Sequence, residues 1–526
     1  MRLRGIFSTF IERFPMNMFL CNAVALSGRS AVMLISGMCI YMLLMLFIGW
    51  ISCRKVSKMS DFLVAGRRLP LWMSTATLLA TWFGAGSSMG VAATVYSDGI
   101  NGVLADPFGA SLSLILAGVF IVGMLRKNGC MTVTDIIERR FGKAAGVYAS
   151  LWMIPVYVGW LGAQLLGLGT ILNLLLGISV IKGTLIGAAV VLLYTCAGGM
   201  WAVTLTDVVQ VGIMIIGLIM LLPGTVELAG GCDAMLETLT AADTLAPVGA
   251  SSFNDYVYYI GSWIVMGLGC MVGQDLVQRS LASKNSKIAV ASSVMSGFLY
   301  VVIAFIPLSI GIAARVIFPK FGITEAVMGG DLENQVLPRI AIMVFGGSYP
   351  VLLTIFIAAL TAAIMSSADS SLLAGASLLC NNVIAPLCPK LREKWLLFGT
   401  RITTLLLTVI ALILAIWVKS IYSLMINSWI SQLVIIFLPV IMALYVPKAT
   451  ANTAWATMIV GTVVWIGYTY IASCGSGMGI VKLLASDGFD RAITCGAVYG
   501  FVAALITFIC SYIGERIVGD EEVSAE

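Results

Sequence analysis

The chain has 526 residues, 60% hydrophobic and only 10% charged, whereas a soluble domain is about 45–50% apolar and about 25% charged, so a string of soluble domains is excluded. The formal net charge of +5 arises from basic residues in short segments without interleaved aromatics, so nucleic acid is not an expected partner. Histidine is absent, which removes the commonest metal ligand, the commonest proton relay near neutral pH and most nucleophile–base sets, so an enzyme is not expected.

Apolar runs of about 20 residues, the length of a bilayer crossing, recur almost end to end. The chain is therefore expected to be an all-α polytopic membrane protein with the lipid bilayer as its surroundings, sited in the cytoplasmic (inner) membrane if the source is bacterial. Residues 1–30 form a tail with Arg2, Arg4, Arg13 and Arg29 but lack the clean apolar core and small-residue cleavage site of a signal peptide. The first span is predicted at 31–53. The second, 72–96, carries Gly84, Gly86 and Gly90. These lie in an apolar run with no strand before them, so they are not a dinucleotide loop, and no Walker-type phosphate loop occurs elsewhere. Spans at 103–125, 144–175, 180–197 and 201–222 follow, and the last of these holds Asp207 near its start.

The seventh span, 256–278, again clusters glycines, Gly267, Gly269 and Gly273, ahead of Gln274. An eighth span is expected at 287–313. The ninth, 348–384, is too long for one simple crossing and must tilt, bend or run past the membrane. It contains Ser366, Ser367, Asp369, Ser370 and Ser371. The remaining spans fall at 396–418, 422–446, 453–473 and 492–514, leaving a tail at 515–526. The count is thirteen, so the termini lie on opposite sides. Of the thirty basic residues, nineteen fall in alternate loops on one side, among them Arg67, Arg126, Arg139, Lys284 and Lys390. The loop 223–254 is purely acidic, with Glu227, Asp233, Glu237 and Asp243. The positive-inside rule places the C-terminus and the residues 515–526 in the cytoplasm and the N-terminus outside. The twelve cysteines show no C-x-x-C pair or rhythm and read as small buried hydrophobes.

Two features suggest function. The glycine clusters in spans 2 and 7 lie five segments apart, which fits a five-plus-five inverted repeat with 72–222 as one half and 256–446 as the other, each with a broken helix. Glycine lets the backbone leave the helix, and unwound carbonyls are tolerated at membrane depth where they face a cavity. Small residues at this spacing also permit close helix packing. The second feature is the hydroxyl and carboxylate run of span 9. An ionisable group in a membrane helix is costly and reads as functional, and Ser366 and Ser370, one turn apart, share a face. Such hard oxygens suit Na⁺. Asp207 reads either as a further ligand or as a first-turn acid. Asp275, four residues before Arg279, is consistent with an ordinary i,i+4 ion pair.

These motifs resemble the sodium:solute symporter family, over roughly residues 31–445. The resemblance rests on SDFLVAGR at 60–67, the glycine pair 198–199 ahead of TDVVQ at 206–210, QDLVQR at 274–279 and MSSADS at 365–370. It implies a LeuT-type core and sodium-coupled import of a small organic solute by alternating access, with a proton-coupled transporter or a membrane sensor of the same fold as alternatives. Carried over by motif, it implies one Na⁺ held by Ala85, Ser88, Ala363, Ser366 and Ser367, and in some members a second near Asp207, Asp369 and Ser370. The nearest likeness is to the choline-transporting branch, on WFGAGS at 82–87, Tyr96 and Trp160. It implies an aromatic box binding a cationic nitrogen by cation–π attraction. A solute site at Trp82, Tyr96, Trp160, Gln164 and Gln274 is expected, the solute being a choline-like amine or an amino acid. Gly273 departs from that branch, which has a further tryptophan there, and Asp275 follows it.

Overall fold

The computed structural model describes residues 28–53, 59–240, 243–246, 251–323, 332–346, 349–388, 390, 393–418, 421, 429–475 and 487–525. Among them the main elements are helical: α1 (Gly28–Cys53), α2 (Leu71–Trp82), α3 (Gly86–Asp98), α4 (Ile100–Lys127), α5 (Thr134–Phe141), α6 (Lys143–Leu176), α7 (Val180–Ala229), α8 (Phe253–Val272), α9 (Gln274–Ala282), α10 (Ser286–Lys320), α11 (Leu332–Phe345), α12 (Pro350–Leu387), α13 (Glu393–Trp417), α14 (Gln432–Tyr445), α15 (Ala451–Gly475) and α16 (Asp487–Ala525).

The distribution of side chains inverts that of a soluble protein. Ile40, Phe47 and Trp50 on α1, Phe298 and Val302 on α10, and Ile402 and Leu405 on α13 point outward and exposed. Thr77, Thr81, Ser87, Gln164, Asp207, Gln274, Asp275, Arg279 and Ser366 are buried inside. Hydrocarbon solvates the apolar exterior, while the polar groups find partners only within the bundle.

Both glycine clusters break their helices. The chain bends by 61° between α2 and α3 and by 41° between α8 and α9. Among the described residues nine helices are long and apolar enough to span a membrane, or eleven with each bent pair taken as one span. Two predicted spans correspond to shorter apolar helices, Val180–Leu193 and Gln432–Tyr445, and residues 422–428 of the latter span lie outside the described residues. The spans predicted at 180–197 and 201–222 form one element, α7, turned at Gly199 (φ 53°, ψ −150°). A Cβ there would stand 2.7 Å from the Phe62 carbonyl oxygen, so the glycine serves both the left-handed backbone and close approach.

The eighth span is longer than predicted, and α11 occupies a stretch read from sequence as loop, because its apolar part, Gln335–Phe345, lacks the length of a crossing. Residues 1–27 of the predicted N-terminal tail lie outside the described residues, while 28–30 already belong to α1, and α16 runs on through the predicted C-terminal tail as far as Ala525. In the interior α12 packs against α6, α7 and α2, and α10 packs against α2 and α4. On the periphery α15 and α16 pack on one another.

Candidate functional site

The break after Trp82 organises the centre. Phe83 leaves the helical region (φ −90°, ψ 77°). Gly84 follows, where a Cβ would lie 2.6 Å from Gln164 Oε1. The bend here frees main-chain groups that neighbouring helices then satisfy: Gln164 Oε1 of α6 accepts from the Ala85 N–H (2.8 Å), and Ser367 Oγ of α12 donates to the Thr81 carbonyl (2.7 Å). The Ser88 hydroxyl donates to the Gly84 carbonyl (2.6 Å). Ser88 and Ala363 line one small cavity of about 10 Å³ with Met214, Leu218, Phe356, Ala359 and Leu360, room for a single water-sized body. Thus Ala85, Ser88, Ala363 and Ser367 gather where α3 meets α12. Ser366 turns the other way and donates to Asp207 Oδ1.

Asp207 forms a second polar cluster. Thr77 of α2 donates to its other oxygen. One turn on, Thr81 Oγ1 lies 3.2 Å from Ser370 Oγ, which in turn lies 3.3 Å from Asp369 Oδ1. The Arg279 guanidinium, fully buried, donates to Ser370 and to the Asp275 carbonyl (3.2 Å). The i,i+4 ion pair of Asp275 with Arg279 expected from spacing is therefore not the arrangement found. The α8–α9 break turns the Asp275 carboxylate elsewhere, to the indole N–H of Trp82 (2.6 Å) and the hydroxyl of Tyr157 (3.0 Å).

Further aromatic rings adjoin the two that hold this carboxylate. The ring centroids of Tyr157 and Trp160 are 6.4 Å apart, those of Trp160 and Trp429 5.8 Å apart in an edge-to-face pair, and Trp82 meets Tyr300 edge-to-face at 6.5 Å. Tyr157 also accepts from the Gln274 N–H (2.5 Å). Of the predicted solute residues, Trp82, Trp160 and Gln164 converge on this region. The Gln274 side chain turns away, accepting from the Val133 N–H (2.8 Å) and donating to Ser377 (3.2 Å). Tyr96 lies fourteen residues along from Trp82, about 20 Å by helical rise. It packs on Phe318 at the rim, where Arg315 donates to its carbonyl and pairs with Asp243 (2.6 Å).

Sequence reasoning missed Thr77, Thr81, Tyr157 and Trp429. The threonines had a signal, since they are spaced one turn apart in the predicted second span, just ahead of Trp82. The aromatic pair had none, because their role depends on contacts across the fold.

The profile described as the sodium:solute symporter family matches residues 62–461. A high-affinity choline transporter 1 of Caenorhabditis elegans is 29% identical over 416 residues, covering 77% of this chain and 70% of the relative. A sodium/pantothenate symporter of Haemophilus influenzae is 26% identical over 478 residues, covering 89% and 93%. The solved structure of a Na⁺-coupled sialic acid symporter superposes with a TM-score of 0.72 at 20% identity, covering 90% of this chain and 98% of the other.

Proposed function

The chain belongs to the sodium:solute symporter family and is an integral, multi-pass, sodium-coupled importer of a small organic solute, and from that premise we propose that the solute carries a cationic nitrogen, in the manner of choline or an amino acid. One observation carries this reading: the buried Asp275 carboxylate is held between Trp82 and Tyr157 inside a group of aromatic rings. Aromatic faces attract a cation, and a carboxylate among them adds an acceptor for N–H groups. The negative charge attracts a fully methylated ammonium as well as an amine that retains hydrogens. The high-affinity choline transporters and the sodium/pantothenate symporter similar to this chain support a small organic solute.

For coupling, we assign one Na⁺ to the carbonyls of Ala85, Ser88 and Ala363 with the hydroxyl of Ser367. Ser366 joins the shell only by turning off Asp207. The alternative set, Asp207, Asp369 and Ser370, already has the Arg279 guanidinium on Ser370 and so has less need of a second cation. The halves 72–222 and 256–446 are assigned as the two repeats that move against one another around this centre. An ion joining α3 to α12 stabilises one of the two arrangements more than the other, which is what coupling requires.

The test is uptake into proteoliposomes under a Na⁺ gradient, competed by quaternary amines, primary and secondary amines, amino acids and simple carboxylates. Amines should compete, and Asp275→Asn should weaken them by about ten-fold or more, the effect of losing one charge-assisted hydrogen bond. Unchanged amine affinity in Asp275→Asn, with Trp82→Ala and Trp160→Ala also unchanged, rules out the cationic-nitrogen reading while leaving sodium coupling intact.

A further inference from the structure

We propose that Asp106, Ser87, Tyr300 and the Trp82 carbonyl form a second Na⁺ site, distinct from the α3–α12 site and resting on the sodium-coupled reading. Asp106 stands in α4 where the backbone leaves the helix (φ −133°, ψ 117°), and its carboxylate is fully buried. Ser87 lies on α3 just past the break, and Tyr300 lies on α10. Both are buried as well. Adjacent serines thus serve opposite sides: Ser88 faces the Ala363 cavity and Ser87 faces Asp106.

The oxygen–oxygen contacts carry the argument. Ser87 Oγ is 2.8 Å from Asp106 Oδ2 and 2.9 Å from the Trp82 carbonyl oxygen. Tyr300 OH is 2.5 Å from Asp106 Oδ1 and 3.4 Å from the same carbonyl. The two hydroxyls also touch one another. Five close oxygen contacts are therefore shared by the only two protons these hydroxyls own. The Trp82 carbonyl takes a further N–H from Gly84 (3.2 Å), which adds nothing to the carboxylate. The ion pairs among the described residues are Arg315 with Asp243 and Arg491 with Asp255, and neither includes Asp106. The titratable groups facing the cluster from the neighbouring elements are Tyr300 of α10 and Cys270 of α8, and neither brings a positive charge. A buried carboxylate with only neutral donors is costly, and here it is also short of positive charge.

A cation among the oxygens corrects both. The donor set is two carboxylate oxygens, two hydroxyls and one carbonyl, all hard ligands. The single carboxylate charge matches a monovalent ion, and Na⁺ is the ion this family transports. The contacts are at hydrogen-bond length, so admitting Na⁺ requires the oxygens to spread by less than about an ångström, toward the wider ligand spacing of a hard cation. The site also has a route to the solute. It holds the carbonyl of Trp82, whose indole holds Asp275, so filling it alters the wall against which the solute binds.

The experiment measures ²²Na⁺ and solute fluxes together, with the Na⁺ dependence of uptake, at fixed pH in proteoliposomes of the full chain. Asp106→Asn is expected to lower the Na⁺-to-solute ratio by one ion and flatten the Na⁺ dependence. Ser87→Ala and Tyr300→Phe keep the carboxylate and test the site should Asp106→Asn fail to fold. Each is expected to raise the Na⁺ needed for half-maximal uptake about ten-fold, with the saturated rate largely kept. An unchanged ratio and Na⁺ dependence in all of the folded variants overturns the proposal and leaves sodium coupling standing. A ratio that holds while the variants lose only a pH dependence also overturns it and makes the occupant a proton. Wild-type uptake indifferent to Na⁺ overturns both this site and the coupling it rests on.

Discussion

Single side chains divide the centre of this molecule more finely than their positions along the helices imply. Ser366 and Ser367 are neighbours on α12, yet one donates to Asp207 and the other to the Thr81 carbonyl. A helix turns about 100° per residue, so adjacent residues serve different partners. The consequence is testable through Na⁺. Ser367→Ala removes a hydroxyl from the break in span 2 and is expected to raise the half-saturating Na⁺ concentration about ten-fold, with a smaller effect at saturating Na⁺. Ser366→Ala is expected to move it less, since its hydroxyl is already engaged by a carboxylate. Titration of uptake against Na⁺ in both variants checks this, and equal shifts count against the division. At the same scale the sequence was partly legible. The Asp and Ser run of α12 marks itself by polarity within an apolar stretch. Nothing local distinguishes Thr77 from any threonine bonding its own helix, until Asp207, 130 residues away, is seen beside it.

At the scale of elements the breaks matter most. The bends after Trp82 and at Gly273 follow from glycine chemistry that is written locally, which is why they were visible before any packing was known. What each break delivers depends on its neighbours. Gly84 sits against Ser367 and Gln164, so a methyl group there overlaps both. Gly84→Ala is expected to destabilise the fold by about 1–3 kcal/mol, as overpacking does, and to abolish transport even where protein still reaches the membrane. Thermal unfolding of the purified variant together with solute uptake measures the two effects, and wild-type transport in Gly84→Ala refutes the close approach. Gly199 illustrates the same point at a turn, where the positive φ and the contact with Phe62 both demand glycine. Helix ends were less legible. The eighth span runs on to Lys320 and α11 follows, because a short apolar helix buried within the protein lacks the length that marks a span.

For the molecule as a whole, the face carrying most basic loops is pinned shut by polar contacts. Leu69 exchanges main-chain hydrogen bonds with Ala282 and Lys284 (3.1 and 2.9 Å). Arg67 donates to the Gly129 and Cys130 carbonyls (2.8 and 3.1 Å). Asp135 accepts from Thr132 (2.6 Å), Asn382 (2.7 Å) and Asn381 (3.2 Å), joining α5 to the end of α12 beside a cavity of about 340 Å³. Cys130 is buried among these contacts, and burial, aided by the Asp135 charge, pushes its thiol up to about 11 from an ordinary value of 9.0. Only the thiolate is alkylated, so at pH 8 the closed face protects Cys130, and opening restores up to about 100-fold in thiolate fraction. Asn382→Ala should therefore speed alkylation of Cys130, read by peptide mass spectrometry, and a rate equal to wild type denies Asn382 a part in the closure. The opposite rim is closed differently, by Tyr96 against Phe318 and Arg315 on Asp243, which is why Tyr96 lies apart from the tryptophans it was grouped with.

The sequence by itself determined the membrane class, the broken helices and the hydroxyl-rich face of span 9, because composition, span length and glycine freedom are properties of short stretches. It also carried the family, through motifs in the right order. Tertiary structure alone decided which carboxylate meets which donor. Asp275 reads in sequence as the partner of Arg279 one turn away, but the break at Gly273 lays it between Trp82 and Tyr157, 193 and 118 residues distant in the chain. Asp106 lies in an apolar run beside Pro107, and only the meeting of α3, α4 and α10 surrounds it with oxygens. A buried charge must be satisfied by whatever the fold brings to it, and in this protein nearly all of those partners come from other helices.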